Sequence, residues 1–155
     1  MDLSDLITAD AIIPALKVNS KKQVIQELAA KAAGITGLPE RDIFDTLLQR
    51  ERLGSTGIGH GIAIPHGKPV ALNRLVGVFA RLERPIDFDA LDDQPVDLVF
   101  LLLAPEGAGA DHLKALARIA RQLRDPGIAA KLRASIDAAA IYALLMTQSS
   151  ASNAA

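Results

Sequence analysis

Cysteine is absent from this chain of 155 residues, and its absence excludes disulfide bonds, thiolate nucleophiles and cysteine-ligated zinc. Tryptophan is absent too, and four phenylalanines and one tyrosine leave few rings on which nucleic-acid bases or sugars could stack. An excess of basic charge is also lacking, since 17 lysines and arginines stand against 18 acidic residues and the net charge is −1. We therefore expect no nucleic-acid partner, because binding through phosphates needs a basic surface.

Long apolar runs and a secretion signal are missing as well. No unbroken apolar stretch, residues 98–104 included, approaches the ~20 residues that a membrane-spanning helix needs. The first ten residues, MDLSDLITAD, carry acidic side chains where a signal peptide would carry basic ones. We expect no direct membrane insertion and, because cysteine is also absent, a cytoplasmic location.

Length and composition predict one folded domain. Half of the residues are apolar and 23% are charged, which is sufficient for an ordinary hydrophobic core. We expect a single domain over residues 1–147. The remaining residues 148–155 are small and polar, and we expect them to form a flexible C-terminal tail.

Alternating strand and helix patterns predict an α/β fold. Residues 76–82 and 98–103 are candidates for buried strands, and the second is apolar on both faces, as in a sheet that helices cover on both sides. We expect these two strands at the centre of the sheet. The segment 12–18 contains Pro14, which suits an edge strand better than a central one.

Helical patterns occur before and after these central strands. Ser20 begins a capping box, and Gly34 stands where we expect that first helix to stop. A second helix is predicted from Pro39 to residues 50–52, and three more follow the last strand. In the first of those three, one apolar stripe is expected to face the core: Leu113, Leu116, Ala117, Ala120 and Leu123.

The most unusual segment is residues 54–67, GSTGIGHGIAIPHG, which holds five of the eleven glycines and two of the three histidines. Its short apolar run is ended by Pro65, so we expect His66 to emerge, exposed and rigidly held, at the end of a strand. Glycine N–H groups and nearby hydroxyls can form a concavity that binds anions. We therefore predict that phosphate is bound by Ser55, Thr56 and Gly57.

Phosphoryl transfer is the chemistry that suits this segment. Neutral imidazole has a free ring-nitrogen lone pair near pH 7, so His66 can act as the nucleophile. Arg50, at the end of the preceding helix, can direct a bidentate guanidinium at phosphate oxygens, and Lys68 is the rival cation. A later histidine, His112, falls in the first turn of a predicted helix, where it can contact phosphate.

Several common motifs do not fit. Gly67-Lys68 is followed by Pro69 instead of the Ser or Thr of a nucleoside-triphosphate loop. The acidic residues within 87–97 break the calcium-loop pattern at two positions, and we interpret them as a solvated loop. Residues 54–57 lack the Gly-x-Ser-x-Gly spacing of serine hydrolases.

The segment 50–67, RERLGSTGIGHGIAIPHG, resembles the phosphorylation-site signature of the fructose/mannitol-type enzyme IIA domains (EIIA type-2) of the bacterial phosphotransferase system. The resemblance continues in residues 95–105, PVDLVFLLLAP, and in residues 111–113, DHL, with the helix that follows. It covers residues 6–145. The GSTGIG lead-in and the single-domain length are most similar to the stand-alone nitrogen-type enzyme IIA.

This resemblance implies a phosphotransferase component that forms a phosphohistidine intermediate. A histidine phosphocarrier protein (HPr or its nitrogen-type paralogue) would donate the phosphoryl group to His66. Arg50 would stabilise the phosphate, and His112 would be the second active-site histidine. The implied fold is a three-layer α/β/α sandwich, in which helices flank a mixed and mainly buried sheet. Neither a metal nor an organic cofactor is implied.

The output remains open between regulation and delivery. In the nitrogen-type branch the phosphoryl group on His66 would mainly regulate target proteins, which would distinguish the two forms by charge and local order. The alternative is a sugar-delivering enzyme IIA that passes the group to a separate EIIB domain. A further alternative is a zinc site formed by His60, His66 and His112. We leave His60 out of the catalytic set because the resemblance gives this position no fixed histidine.

Overall fold

Two long antiparallel strands form the centre of the sheet. The computed structural model describes residues 2–147, so the predicted tail at 148–155 lies outside the described residues. Two short 3₁₀ turns, Leu3–Asp5 and Ala9–Ala11, precede the first strand. The strands and helices are then β1 (Ile12–Leu16), α1 (Lys21–Thr36), α2 (Glu40–Leu53), β2 (Gly57–Gly59), β3 (Ile62–Ala63), β4 (His66–Gly67), β5 (Val76–Ile86), β6 (Val96–Leu103), α3 (Ala110–Arg124), α4 (Pro126–Ala134) and α5 (Ala138–Met146).

The sheet is mixed and its strand order is β1-β5-β6-β3-β2, with β4 also paired to β6. β5 and β6 run antiparallel, while β1 is parallel to β5, and both β3 and β4 are parallel to β6. The prediction that residues 76–82 and 98–103 form the central strands is confirmed. The strand with Pro14 lies at one edge, also as predicted, because proline has no N–H to donate on a second side.

Helices cover the sheet on both faces. Every residue of β6 from Leu98 to Leu103 has no solvent-accessible surface, so neighbouring side chains bury both faces of this strand. α1 and α2 pack together and contact β5 and β4, whereas α3, α4 and α5 pack in sequence and α5 lies against β1. The predicted three-layer α/β/α fold is confirmed.

None of the helices within residues 2–147 is both long enough and apolar enough to cross a membrane.

The first helix ends three residues later than predicted. Ser20 caps it as expected, since its Oγ accepts from the N–H of Gln23 at 3.2 Å. Gly34 lies inside α1, and Gly37 ends the helix instead, with a left-handed φ of 77° and its N–H donating to the carbonyl of Ala33. The C-terminal end of α1 therefore lies at the glycine that adopts the left-handed conformation.

The predicted buried stripe of α3 is confirmed at Leu123 and wrong at two other positions. Leu116 and Ala120 are partly buried and pack against the core. Leu113 is 68% exposed and Ala117 is exposed too. The buried residues of the helix are Leu123 and four that the stripe did not include, His112, Ala115, Ile119 and Gln122. Two of these are polar, so the buried face has fewer apolar residues than the periodicity argument assumed.

Most of the acidic loop is solvated, as predicted. Asp87, Asp89, Asp92 and Asp93 are exposed. Asp97 differs, because it is half-buried at the start of β6 and accepts from Nε of Arg133 in α4 at 3.0 Å.

Candidate active site

The last turn of α2 places Arg50 against the ring of His66. Nε of Arg50 donates to Nε2 of His66 at 3.3 Å. Nη1 of the same guanidinium donates to the carbonyl oxygen of Gly54 at 2.9 Å. The cation is therefore held both by the loop that follows its own helix and by the ring beside it.

His66 lies within a short strand, where we had expected it to follow one. Pro65 interrupts the pairing with β6 as predicted, yet the pairing resumes at once, with His66 opposite Leu102. The reason is that proline lacks only the donor: the carbonyl of Pro65 still accepts from the N–H of Leu102 at 2.9 Å. The pairing leaves His66 half-buried instead of exposed, with its backbone fixed by the sheet.

The backbone carbonyl of Ile64 selects the tautomer of His66. Nδ1 of the ring lies 2.8 Å from this oxygen, which can only accept a hydrogen bond. Nδ1 therefore carries the proton, and Nε2 keeps its lone pair on the side of Arg50. This arrangement makes Nε2 the nucleophilic atom of the ring.

His112 faces His66 from the first turn of α3, as predicted. The two ring centroids are 5.5 Å apart and the ring planes are tilted by 60°. The side chain of His112 is buried, and its Nδ1 has no hydrogen-bond partner among residues 2–147. A buried ring nitrogen without a partner is costly in the free protein, so it is a candidate contact for a bound group.

Burial favours the neutral form of both rings. Burial is the main cause that lowers the pKa of His66, and the charge of Arg50 lowers this pKa further. The Ile64 carbonyl and the Glu51 carboxylate oppose the shift. Burial also lowers the pKa of His112, followed by the charges of His66 and Lys68. Both imidazoles are therefore neutral at pH 7.

The surface around these rings is a cationic cleft. Among the described residues its lining includes no carboxylate, and it suits an anion. We call it the His66 cleft, and it is lined by Thr46, Gln49, Arg50, Leu53, His66, Gly67, Lys68 and His112.

The predicted phosphate-binding residues of the glycine-rich loop do not line this cleft. Ser55 Oγ donates to the carbonyl of Phe88 at 2.6 Å and accepts from the N–H of Gly57 at 3.0 Å. The N–H and the hydroxyl of Thr56 both donate to the carboxylate of Glu51. Direct phosphate binding by Ser55, Thr56 and Gly57 stays a prediction, and it would require these hydrogen bonds to exchange.

Sequence reasoning missed Glu51, whose side chain is only 3% exposed. A signal was available, because Ile43, Leu47 and Glu51 recur every four residues and form the buried face of α2. A carboxylate in line with two core residues needs buried partners, and Lys21 Nζ is one of them at 3.0 Å.

His60 lies apart from the His66 cleft. It occupies the turn between β2 and β3 with a φ of 58°, is exposed, and donates its N–H to Asp92 at 3.0 Å. Within residues 2–147 no group of three histidine, aspartate or glutamate side chains is arranged to hold a metal ion. The zinc alternative, which needed His60, His66 and His112 together, therefore has no site.

Comparisons with known proteins show the family of the chain. Residues 5–147 match the family model for the EIIA 2 domain of the phosphoenolpyruvate-dependent sugar phosphotransferase system. A nitrogen regulatory protein of Bradyrhizobium diazoefficiens is 69% identical over 145 residues, which cover 94% of this chain and 95% of that protein.

Solved structures share the fold. The crystal structure of nitrogen regulatory protein IIA-Ntr from Neisseria meningitidis superposes with a TM-score of 0.88 at 35% identity, over 92% of this chain and 98% of that one. The mannitol enzyme IIA from Escherichia coli, in a complex with phosphorylated enzyme IIB, gives a TM-score of 0.77 at 20% identity, over 90% and 98% of the two chains. The chain thus belongs to the EIIA type-2 family of the phosphotransferase system and, within it, is similar to the nitrogen regulatory proteins.

Proposed function

We propose that His66 accepts a phosphoryl group from the phosphohistidine of a histidine phosphocarrier protein, HPr or its nitrogen-type paralogue, and that the chain acts mainly as a regulatory component. One observation carries this proposal: Nε2 of His66 has its lone pair beside the guanidinium of Arg50, while Nδ1 is held by the Ile64 carbonyl. A nucleophile and a cation for the phosphoryl oxygens are thereby adjacent.

The transfer step needs no additional base. The Nε2 lone pair of His66 forms the new N–P bond as the N–P bond of the donor breaks, and the electron pair of that bond returns to the donor imidazole. The proton on Nδ1 remains, and its hydrogen bond to the Ile64 carbonyl stabilises the positive charge that the ring gains. Arg50 must release Nε2 as phosphorus approaches, and its N–H groups then turn to the phosphoryl oxygens.

Two other residues of the His66 cleft complete the phosphate environment in this proposal. Nδ1 of His112, which has no hydrogen-bond partner among residues 2–147, donates to a phosphoryl oxygen once it carries the proton. Lys68 also lines the cleft and supplies a second positive charge for a dianionic group. The hydroxyls of Ser55 and Thr56 hold the loop after α2 in the free protein, and their direct binding of phosphate stays a prediction.

The regulatory role is supported by the similarity to proteins named nitrogen regulatory protein. We propose a cytoplasmic carrier whose target proteins bind the unphosphorylated and phosphorylated forms with different affinity, because the group adds a charge of about −2 to a cationic cleft. In the sugar-delivering alternative, the same group would pass to a separate EIIB domain.

Intact-mass spectrometry after incubation with phosphoenolpyruvate, enzyme I and the phosphocarrier tests the acceptor. Wild-type protein should gain one acid-labile phosphoryl group, and His66→Ala should gain none. His60→Ala is the matched control, since it removes a histidine of the same loop that lies outside the cleft, and it should be phosphorylated like the wild type. A phosphorylated His66→Ala, or an inert wild type with an active cognate donor, would refute the proposal.

The output is tested by adding acceptors to the phosphorylated protein. Differential binding of a target protein to the two forms supports regulation. Rapid and complete transfer to a purified EIIB domain, with equal target affinities for both forms, would replace regulation by sugar delivery.

A further inference from the structure

Glu51 is a buried charge that phosphoryl transfer does not use directly. Its carboxylate accepts from the N–H of Thr56 at 3.1 Å and from the Thr56 hydroxyl, and it pairs with Nζ of Lys21 at 3.0 Å. The Glu51 side chain is 3% exposed and that of Lys21 is 19% exposed. We call these three residues the Glu51 cluster.

The Glu51 cluster ties the loop after α2 to two other parts of the fold. Lys21 begins α1, and its Nζ lies 4.8 Å from the centroid of the Phe88 ring. The carbonyl of Phe88 accepts from Ser55, the residue before Thr56. Two consecutive residues of the loop are therefore fixed by hydrogen bonds. Thr56 is bonded to Glu51 at the end of α2, and Ser55 is bonded to Phe88 in the segment after β5.

This loop also contacts the catalytic cation. Gly54 immediately precedes Ser55 and Thr56, and its carbonyl accepts from Nη1 of Arg50. Glu51 adjoins Arg50 in the chain, with its side chain buried while Arg50 reaches His66. Any movement of the loop would therefore displace the acceptor that orients the guanidinium.

We infer that Glu51 is a positioning residue for phosphoryl transfer, which holds the Gly54 carbonyl, and through it Arg50, in place beside Nε2 of His66. The inference rests on the proposed function of His66 and assigns to Glu51 no contact with the phosphoryl group. The carboxylate acts on His66 electrostatically as well, since its charge raises the pKa of the ring and opposes Arg50. Burial with three specific contacts is what the positioning role requires.

A double-mutant cycle separates positioning from a merely structural role. Glu51→Gln keeps the shape and an acceptor for the Thr56 N–H but loses the charge. It should lower the single-turnover rate at saturating donor by about tenfold or more, because small misplacements of a catalytic group are costly. In an Arg50→Ala background the same change should have little effect on the rate, since the group that Glu51 positions is gone. Equal losses in both backgrounds would overturn the inference.

Folding controls keep the result interpretable. Thr56→Val removes only the hydroxyl donor and should slow transfer, while Thr56→Ser retains it and should transfer like the wild type. Ile141 is a buried residue of α5 and is distant from the loop in sequence. Ile141→Val should therefore lower the melting temperature without changing the phosphoryl-transfer rate of the folded protein. If Thr56→Val and Glu51→Gln behave like Ile141→Val, the role is structural and the inference is wrong.

A measurement that does not involve transfer distinguishes failure of this inference from failure of the proposed function. In ¹H–¹⁵N spectra of the arginine side chains, Nε–H of Arg50 should be protected from exchange by its bond to His66, and Glu51→Gln should remove that protection. If protection is lost but the wild type accepts no phosphoryl group, Glu51 does position Arg50 and the proposed function of His66 is what fails. Unchanged protection and unchanged transfer would refute the inference.

Discussion

At the scale of single residues, backbone carbonyls fix the side chains of the site before a phosphoryl donor binds. The Ile64 carbonyl sets the tautomer of His66, and the Gly54 carbonyl directs Arg50 toward it. Both acceptors are backbone atoms, so the sequence letters at positions 54 and 64 do not reveal them. The sequence alone predicts three site residues, His66, Arg50 and His112. The structure brings these three together in one cleft.

Replacing Arg50 by alanine should slow phosphoryl transfer to His66 by about a hundredfold or more, because a preorganised cation for the developing phosphate charge is lost. Rapid-quench single-turnover kinetics measure the rate, and circular dichroism checks the fold. Arg52→Ala removes an exposed arginine from the same helical turn and should transfer within about twofold of the wild type. A folded Arg50→Ala protein with the wild-type rate would remove Arg50 from the mechanism.

The ring of His66 should titrate below the ordinary histidine value of about 6.5. Burial and Arg50 both disfavour its protonated form, so Nε2 stays nucleophilic as the pH falls through 6.5 and loses its lone pair only at lower pH. NMR titration of the His66 Cε1 proton gives the pKa. In Arg50→Ala the pKa should rise relative to the wild type, and a wild-type value at or above 6.5 would contradict this account of the site.

At the scale of elements, local signals located the helices but not always their ends or faces. Capping residues such as Ser20 and Asp137 mark helix starts because their side chains bond the first free N–H groups. Gly34 and Gly37 are both candidate helix ends in the sequence, and Gly37 is the one whose left-handed φ ends α1. In α3 the buried face includes the polar residues His112 and Gln122, so the apolar periodicity indicated that face only in part.

Gly34 and Gly37 should respond to alanine in opposite directions. Gly34→Ala should stabilise the protein by roughly 0.5–1 kcal/mol, because the position is helical and nothing lies within 4 Å of an added Cβ. Gly37→Ala should destabilise it by about 1 kcal/mol or more, since its φ of 77° strains any other L-residue. Urea unfolding measures both, and a destabilised Gly34→Ala would contradict an unstrained helical conformation at Gly34.

At the scale of the whole molecule, the buried strands were the most predictable feature and the buried polar contacts the least. A strand such as residues 98–103, which is apolar on both faces, can bury both faces only inside a sheet that is covered on both sides. The sequence alone therefore indicates the centre of the fold. Glu51 and Asp97 have partners more than twenty residues away, Lys21 and Arg133, and no local pattern identifies such pairs. The architecture was therefore predictable, while the network that supports the site was not.

Folding stability should decrease as the pH drops below about 6.5. The pKa values of His66 and His112 are lowered in the folded state, so the unfolded chain binds more protons between the ordinary value and the lowered ones. The stabilisation is complete above pH 6.5 and is lost as the pH falls through the folded pKa values. Urea unfolding at pH 7.5 and 5.5 should show a smaller loss in the double variant His66→Gln, His112→Gln. An equal loss would contradict the neutral, buried state of these rings.

The central claim is that Nε2 of His66 receives the phosphoryl group, and long-range ¹H–¹⁵N NMR of the phosphorylated protein tests it most directly. This experiment distinguishes the two ring nitrogens of each of the three histidines. We predict that the phosphoryl group is bonded to Nε2 of His66, with Nδ1 still protonated and bonded to the Ile64 carbonyl. A phosphoryl group on Nδ1 of His66, or on His60 or His112, would contradict the account.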